Sequence, residues 1–402
     1  MANLEEVLDD PGNHHGDPNS FVSLEAIKFL LDHGANPRLT ESIPYQIKAV
    51  EIGGHAYLNR PMDAIIAQAI KDTTVLSKAS VPWNPDEASF QSYYAYDAAM
   101  HAWVSKPSST DVARNNNSSG ITNIALYTWN IDFLLPFAEA RMKAALAYLD
   151  RLTTSGSLPP TTAPVVFLQE CTPSDLTTIA ATPWVQARYH LTDVDPTNWA
   201  TTHYGTTMLV DSRVLITAAF RVHYSKTRMD RDALFVDISL GSDSKTIRLC
   251  NTHLESLAFD PPFRPPQMQL IARYMHGEHV HAALAAGDFN AIQPFDRTLH
   301  EDGNNNLKDA FLELGGKEDT DEGFTWGQQA ATKLREQFGC SRMDKVYFRG
   351  GVKLIRFERF GEDVLTEGED ESKKIVELGF EKPWVTDHLG VMAEVEIVPR
   401  LL

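Results

Sequence analysis

The sequence predicts an α/β sandwich: two mixed sheets face to face, with helices outside. Three observations carry the prediction. From residue 121 onward the chain is dominated by short apolar runs of strand length. Only two or three stretches have helical period, too few for a helical bundle. Most of the apolar runs end in a short polar cluster: TWN at 128–130, LQE at 168–170, NTHLES at 251–256, GDFN at 287–290 and TDH at 386–388. Clusters of this kind, spaced far apart in sequence, place acids, amides and imidazoles at the strand ends of one sandwich.

The elements follow in order. ITNIALYTWN at 121–130 reads as a strand, PFAEARMKAALAYLDRL at 136–152 as a helix, and APVVFLQE at 163–170 as the next strand. TTMLVDSRV at 206–214, ALFVDISL at 233–240 and KTIRLCNTHLES at 245–256 read as successive strands. The helix PQMQLIARYMHGE at 266–278 precedes the strand HAALAAGDFN at 281–290. After FTWG at 324–327 come the strands MDKVYFRG at 343–350, VKLIRFERF at 352–360 and LGVMAEVEIV at 389–398. The acidic segment GEDVLTEGEDESKK at 361–374 reads as a solvated loop.

Upstream of 121 the pattern changes, which divides the chain into 1–80, 81–120 and 121–402. SLEAIKFLLDHGANPRL at 23–39 is an amphipathic helix, with Ser23 as N-cap and Gly34 as the stop. It resembles one unit of an ankyrin repeat. One such unit cannot bury its own face, and PMDAIIAQAIKDT at 61–73 is a further helix but not a clear second copy. Residues 1–80 are therefore expected to be a mainly helical extension, open to a protein partner. The aromatic stretch 81–103 reads as an arm packed on a neighbouring domain, and SKPSSTDVARNNNSSG at 105–120 as a flexible linker.

Composition bounds the function. At 402 residues, 43% hydrophobic and 22% charged, the chain can bury a large core. Its net charge of −18 argues against broad non-specific nucleic-acid binding, but leaves room for a site where a metal supplies positive charge. Cys171, Cys250 and Cys340 are odd in number and far apart, so no disulfide framework or zinc pattern is implied. Reduced thiols, the polar start MANLEEVLDDPGNHHGD and the lack of an apolar run of membrane length lead to the expectation of an intracellular protein of nucleus or cytoplasm, with no membrane association.

The clusters point to metal-assisted phosphodiester hydrolysis. That chemistry needs a cation, a base for water, and donors for the phosphoryl oxygens. Magnesium prefers oxygen ligands and needs few carboxylates. Glu170 suits that role, with Asn130 beside it as amide partner. Asp288 can take a proton from water while Asn290 donates to a phosphoryl oxygen. His388 pairs with a distant carboxylate, for which Asp344 is the candidate, and so stays charged. Asp387 then faces the metal, and His253 contacts the phosphate. No GxSxG elbow, HExxH helix or Walker A loop occurs. His279 and His281 lie at a helix end and read as surface residues.

In this order TWN, LQE, NTHLES, GDFN, RMDKV and TDH resemble the endonuclease/exonuclease/phosphatase superfamily over about 121–398. Within it the segments TWNID, FLQE, THLES, AGDFN, FTWG and RMDKVYFR look most like the tyrosyl-DNA phosphodiesterase branch. The resemblance implies a DNase I-like four-layered sandwich and a Mg2+-dependent enzyme, with Mn2+ as an alternative ion, acting on a 5′-phosphotyrosyl DNA end. It implies a metal site of Asn130, Glu170 and Asp387, and a catalytic set of Asn130, Glu170, His253, Asp288, Asn290, Asp344, Asp387 and His388. Trp326 and Arg342 match positions near the substrate channel. Ile292 stands where that branch has an arginine, and Leu389 where it has a tryptophan. The expected alternatives are another nuclease, a nucleotide phosphodiesterase or a phosphatase with the same site, or an interaction scaffold of weak activity.

Overall fold

Alternation along each strand decides this architecture. The computed structural model describes residues 82–108, 120–154, 156, 158–240 and 245–398. The helices expected at 23–39 and 61–73, and most of the expected linker, lie outside the described residues. In chain order the strands are β1 (Ala88–Phe90), β2 (Tyr93–Asp97), β3 (Ala102–Lys106), β4 (Asn123–Asn130), β5 (Thr162–Cys171), β6 (Tyr189–Leu191), β7 (Gly205–Asp211), β8 (Leu215–His223), β9 (Asp232–Ser239), β10 (Thr246–His253), β11 (Val280–Asp288), β12 (Lys308–Asp309), β13 (Asp344–Gly350), β14 (Val352–Phe360) and β15 (Gly390–Ile397). The helices are α1 (Ala138–Thr154), α2 (Pro173–Ala181), α3 (Pro183–Arg188), α4 (Arg264–Met275), α5 (Ala310–Glu313), α6 (Thr332–Phe338) and α7 (Glu369–Glu377).

The strands form a seven-stranded sheet, β1-β8-β9-β10-β11-β13-β12, and an eight-stranded sheet, β14-β15-β4-β5-β7-β6-β2-β3. Each contains one parallel pair, β10 with β11 and β4 with β5, among antiparallel neighbours. On β4, Ile124 and Leu126 face the other sheet, while Ala125, Tyr127 and Trp129 pack on Met142, Leu146 and Leu149 of α1. On β11, Leu284 and Ala286 face inward, while Ala283 and Ala285 meet Met268, Ile271 and Met275 of α4. The result is four layers, helix on sheet on sheet on helix, a DNase I-like sandwich. Each fully buried Leu or Val of the central layer contributes roughly 1.5–3 kcal/mol.

The same alternation delivers the polar clusters. Ile124 and Leu126 share a face with Thr128 and Asn130; Val165 and Phe167 share one with Gln169; Leu249 shares one with Asn251 and His253; Ala286 shares one with Asp288. Every inward row turns from apolar to polar at the same end of the sandwich. Just beneath that end the sheets are joined by buried amides. The Gln169 side chain donates to Asn251 Oδ1 at 2.7 Å and to Thr128 Oγ1 at 2.9 Å, and Asn251 Nδ2 donates to the carbonyls of Leu168 and Thr207.

Gly287 makes the close approach of β10 and β11 possible. Its φ is +144°, and a Cβ there would lie 1.8 Å from the Thr252 carbonyl oxygen. Gly287→Ala is expected to cost about 3 kcal/mol in overlap and backbone strain, read as a shifted midpoint in urea unfolding.

Two features depart from the sequence expectation. The arm expected at 81–103 is, from residue 88, part of the sheets: β1 pairs with β8 at the edge of one sheet, and the β2–β3 hairpin closes the edge of the other through β6. The sandwich therefore starts before residue 121, because partly buried Tyr93 and Tyr94 add to the two cores. The acidic segment is not all loop, since α7 begins at Glu369. Its first turn carries Glu369, Asp370 and Glu371, which suit a helix N-terminus, and Ile375 is buried beside Phe380 and Trp384. All three cysteines are free thiols, two of them buried. Among the described residues no helix is long and apolar enough to cross a membrane.

Candidate active site

Asp288 stands at the centre of the polar end. Asn130 Nδ2 donates to its Oδ2 at 3.0 Å, and the Asn290 backbone N–H donates to its Oδ1 at 2.8 Å. Its Oδ2 lies 3.3 Å from His253 Nε2 and 3.8 Å from His388 Nε2. Burial opposes its charge, but the two imidazoles outweigh burial and hold the carboxyl well below the usual range. Asn290 Nδ2 donates to the Leu254 carbonyl at 3.0 Å. This bond shapes the turn that fixes Asp288 and leaves the second Nδ2 hydrogen for the expected contact with the phosphate.

The two histidines are in opposite states. Arg231 donates from Nη1 to His253 Nδ1 at 2.5 Å. A guanidinium cannot accept, so Nδ1 is the acceptor and the proton sits on Nε2, facing Asp288. Burial and then Arg231 lower the His253 pKa, so this imidazole is neutral. His388 Nδ1 lies 2.8 Å from Asp344 Oδ2. Burial disfavours its charge, but Asp344, Asp387 and Asp288 together raise its pKa well above the ordinary value. It is an imidazolium with Nε2–H free to point at the site.

The remaining carboxylates gather on the other side of Asn130. Glu170 Oε2 accepts from the Phe133 backbone N–H at 3.0 Å. Asp387 Oδ2 accepts from Trp326 Nε1 at 2.7 Å. Asp132, which the motif reading passed over, joins them: burial, then Asp387 and Glu170, push it up to about 8. Its signal in the sequence was its place in TWNID, two residues past Asn130. Asp132, Glu170 and Asn290 all have left-handed backbone, with φ of 55°, 57° and 46°, so each strand end turns sharply as it enters the site. Asn130 Oδ1 accepts from the Asp132 backbone N–H at 2.9 Å, which fixes the amide with Nδ2 toward Asp288 and leaves one lone pair of Oδ1.

Arg141 supports that face from below. It is fully buried and donates to the carbonyls of Ile131, Asp132, Leu135, Pro136 and Val385. One guanidinium thereby ties the segment bearing Asp132 to the segment leading to Asp387, and places a fixed positive charge near both.

The strand order gives the site two flanks. Across one sheet the sequence runs β9, β10 with His253, β11 with Asp288, then β13 with Asp344. On the β13 side lies Trp326, bridged to Ser341 and His388 and half-buried. On the β9 side lies a small pocket lined by Glu170, Trp199, Tyr204, Arg231 and His253, where Trp199 and Tyr204 are buried and Phe133 stacks on Tyr204. The Arg231 guanidinium lies 5.2 Å above the Tyr204 ring. Arg342 belongs to neither flank. It is 4% exposed, pairs with Asp309 at 2.8 Å and with Glu318, and covers Phe311. Its fork is spent inside the protein.

Donor atoms of Asp288, Asp344 and His388 lie within 4.8 Å of one another. We do not read them as a metal site, because a protonated imidazole already occupies their centre. The Asp132, Glu170 and Asp387 face offers oxygens only and draws on three chain segments, with its carboxylates set farther apart than those of that cluster. That donor set fits a hard divalent cation.

A profile of the Endonuclease/Exonuclease/phosphatase family matches residues 127–388, and the chain belongs to that family. Solved structures of similar fold include the TDP2 (tyrosyl-DNA phosphodiesterase 2) proteins. A truncated Caenorhabditis elegans TDP2 is 21% identical with a TM-score of 0.50, over 68% of this chain and 97% of that one. A D. rerio TDP2 complexed with a single-strand DNA product is 18% identical with a TM-score of 0.52, over 68% and 99%. A second C. elegans TDP2 structure is 18% identical with a TM-score of 0.52, over 97% of each chain. No curated protein matches the chain.

Proposed function

We propose that the chain is a Mg2+-dependent phosphodiesterase that hydrolyses 5′-phosphotyrosyl ends of DNA. The observation that carries the reading is Asp288, an ionised carboxylate fixed by Asn130 and Asn290 between a neutral and a charged imidazole. Asn130, Glu170 and Asp387 would hold the cation, with Asp132 beside them and Asn130 Nδ2 also supporting Asp288. When bound, Mg2+ or Mn2+ supplies charge neutralisation at a phosphoryl oxygen.

In this reading Asp288 accepts a proton from water as its oxygen attacks phosphorus. His253 and His388 donate from Nε2 to the phosphoryl oxygens. The bond from phosphorus to the tyrosyl oxygen breaks, leaving a phenolate and a 5′-phosphate. Tyrosine's pKa of about 10 makes it a leaving group that needs no strong general acid. Trp326 on the β13 flank suits a base, as in a single-stranded DNA end.

A second reading keeps these residues and changes the diester. It is favoured by Ile292, 40% exposed beyond Asn290, where no guanidinium is available for a DNA phosphate. The test is release of tyrosine from a 5′-phosphotyrosyl oligonucleotide with Mg2+ or with EDTA. Metal-dependent release is the expected result. No release, with a chromogenic phosphodiester still cleaved, would move the substrate to another nuclease or phosphatase class.

The charge of His388 sets the alkaline limit. Asp344 raises the His388 pKa, so Asp344→Asn lowers it, and the imidazolium is lost at a lower pH. The alkaline limb of kcat is expected to move down by about one pH unit or more. An unmoved limb would remove Asp344 from this role.

A further inference from the structure

The FTWG segment is strapped between the two sheets where they carry the His388–Asp344 pair. Its Thr325 is buried, at 1% exposure. On one side the Thr325 and Trp326 backbone N–H groups donate to the Ser341 carbonyl at 2.9 and 3.0 Å, ahead of β13. On the other side the Thr325 carbonyl accepts from the Leu389 backbone N–H at 2.7 Å, immediately before β15. β13 belongs to the seven-stranded sheet and β15 to the eight-stranded one. One residue thus fastens the strand that begins with Asp344 to the residue that follows His388.

The Thr325 side chain adds a second hold on Asp344. Its Oγ1 accepts from the Met343 and Asp344 backbone N–H groups at 3.1 and 2.9 Å. A hydroxyl has two lone pairs and one proton, so both lone pairs are taken and the proton is left to meet an acceptor. Asp344 supplies one. Its Oδ2 lies against His388 Nδ1, while its Oδ1 is buried and otherwise unpartnered among the described residues. A buried carboxylate oxygen left bare is costly. Burial pushes the Asp344 carboxyl up to about 6, and His388 and then the Thr325 hydroxyl oppose that shift. The next residue holds the neighbouring acid in the same manner, since Trp326 Nε1 donates to Asp387. One dipeptide therefore orients the carboxylates on both sides of His388.

We propose that Thr325 is a positioning residue for the hydrolysis: it donates its hydroxyl proton to Asp344 Oδ1 and so fixes the carboxylate that aims His388 at a phosphoryl oxygen. The inference rests on the assignment of His388 as a phosphoryl donor. Without the Thr325 proton the Asp344 carboxylate is free to turn about its Cβ–Cγ bond, and the imidazole held by its other oxygen turns with it.

The test compares Thr325→Val, which keeps the shape and loses the hydroxyl, with Thr325→Ser, which keeps the hydroxyl and loses the methyl. Thr325→Val is expected to lower kcat by about 10–100-fold with KM within about twofold, and Thr325→Ser to restore most of that loss. In an Asp344→Asn background Thr325→Val is expected to cost no more than about twofold further, because its effect passes through Asp344. Proton NMR gives a readout without turnover. The low-field resonance of the His388–Asp344 hydrogen bond, assigned by its absence in His388→Gln, is expected to persist in Thr325→Ser and to shift or vanish in Thr325→Val. An unmoved resonance in folded Thr325→Val overturns the proposal. So does an equal rate loss with and without Asp344, or a Thr325→Ser as slow as Thr325→Val, since each would leave Thr325 a packing residue. If Thr325→Val does not fold, Thr325→Cys, a weaker donor and acceptor of similar size, takes its place under the same criteria. If the wild type releases no tyrosine, the tyrosyl-DNA reading fails. Rates are then read on a chromogenic phosphodiester, and the resonance still decides the role of Thr325.

Discussion

Asp288→Asn is expected to lower kcat by about 10²–10⁴-fold while leaving the sandwich folded. The substitution is nearly isosteric, and its one oxygen can still meet either the Asn130 or the Asn290 donor. The charge is what disappears. With it go the acceptor for the water proton and one of the carboxylates that keep His388 protonated. The new amide also turns donors toward His253 Nε2–H, which is itself a donor. Circular dichroism and the melting temperature separate the two effects: a rate loss with near-native melting assigns Asp288 to chemistry. Near wild-type turnover would remove it from the reaction.

Glu170→Gln is expected to cost about 10²-fold in rate at low Mg2+ and to weaken cation binding by at least tenfold, because one of three carboxylates is neutralised where several kcal/mol of charge stabilisation are required. Gln can keep the hydrogen bond from the Phe133 amide, so the loss falls on the cation. Isothermal titration with Mg2+, or Mn2+ paramagnetic resonance, reads this without turnover. Binding and rate equal to wild type would take Glu170 out of the metal face.

Most central strands, α1 and α4 were legible because their apolar rows keep periods of 2 and 3.6, whereas β8 was not read as a strand, its row being broken by a bulge between Ile216 and Ala218. The strand-end acids and imidazoles were legible because each closes such a row. Asp132 was hidden for a local reason. Alternation from Asn130 places it on the same face, but its left-handed turn, not the strand, aims it at Glu170 and Asp387. Arg231 was hidden because a basic turn between strands has no spacing signature, and its contact with His253 spans two strands. Arg342 was misplaced for the converse reason. A sequence shows a guanidinium but not its partners, and Asp309 and Glu318 lie 33 and 24 residues away. The edge strands β1 to β3 were hidden because edge strands need only a partial apolar row, and theirs is broken by polar residues and turns.

Asn130, Glu170, Asp387 and His388 belong to one sheet, while His253, Asp288 and Asp344 belong to the other. The hydrogen bonds Asn130–Asp288 and His388–Asp344 cross the gap, and the width of that gap is set by Phe167, Leu249 and Leu284 behind them. These side chains have no chemistry of their own, yet they act as the spacers of a gauge. Sheets pack about 10 Å apart, and a methylene gained or lost in the spacer alters the reach of a catalytic hydrogen bond. Core volume is thereby written into the rate as well as the stability, so the interior of this protein can drift only as far as its active site allows.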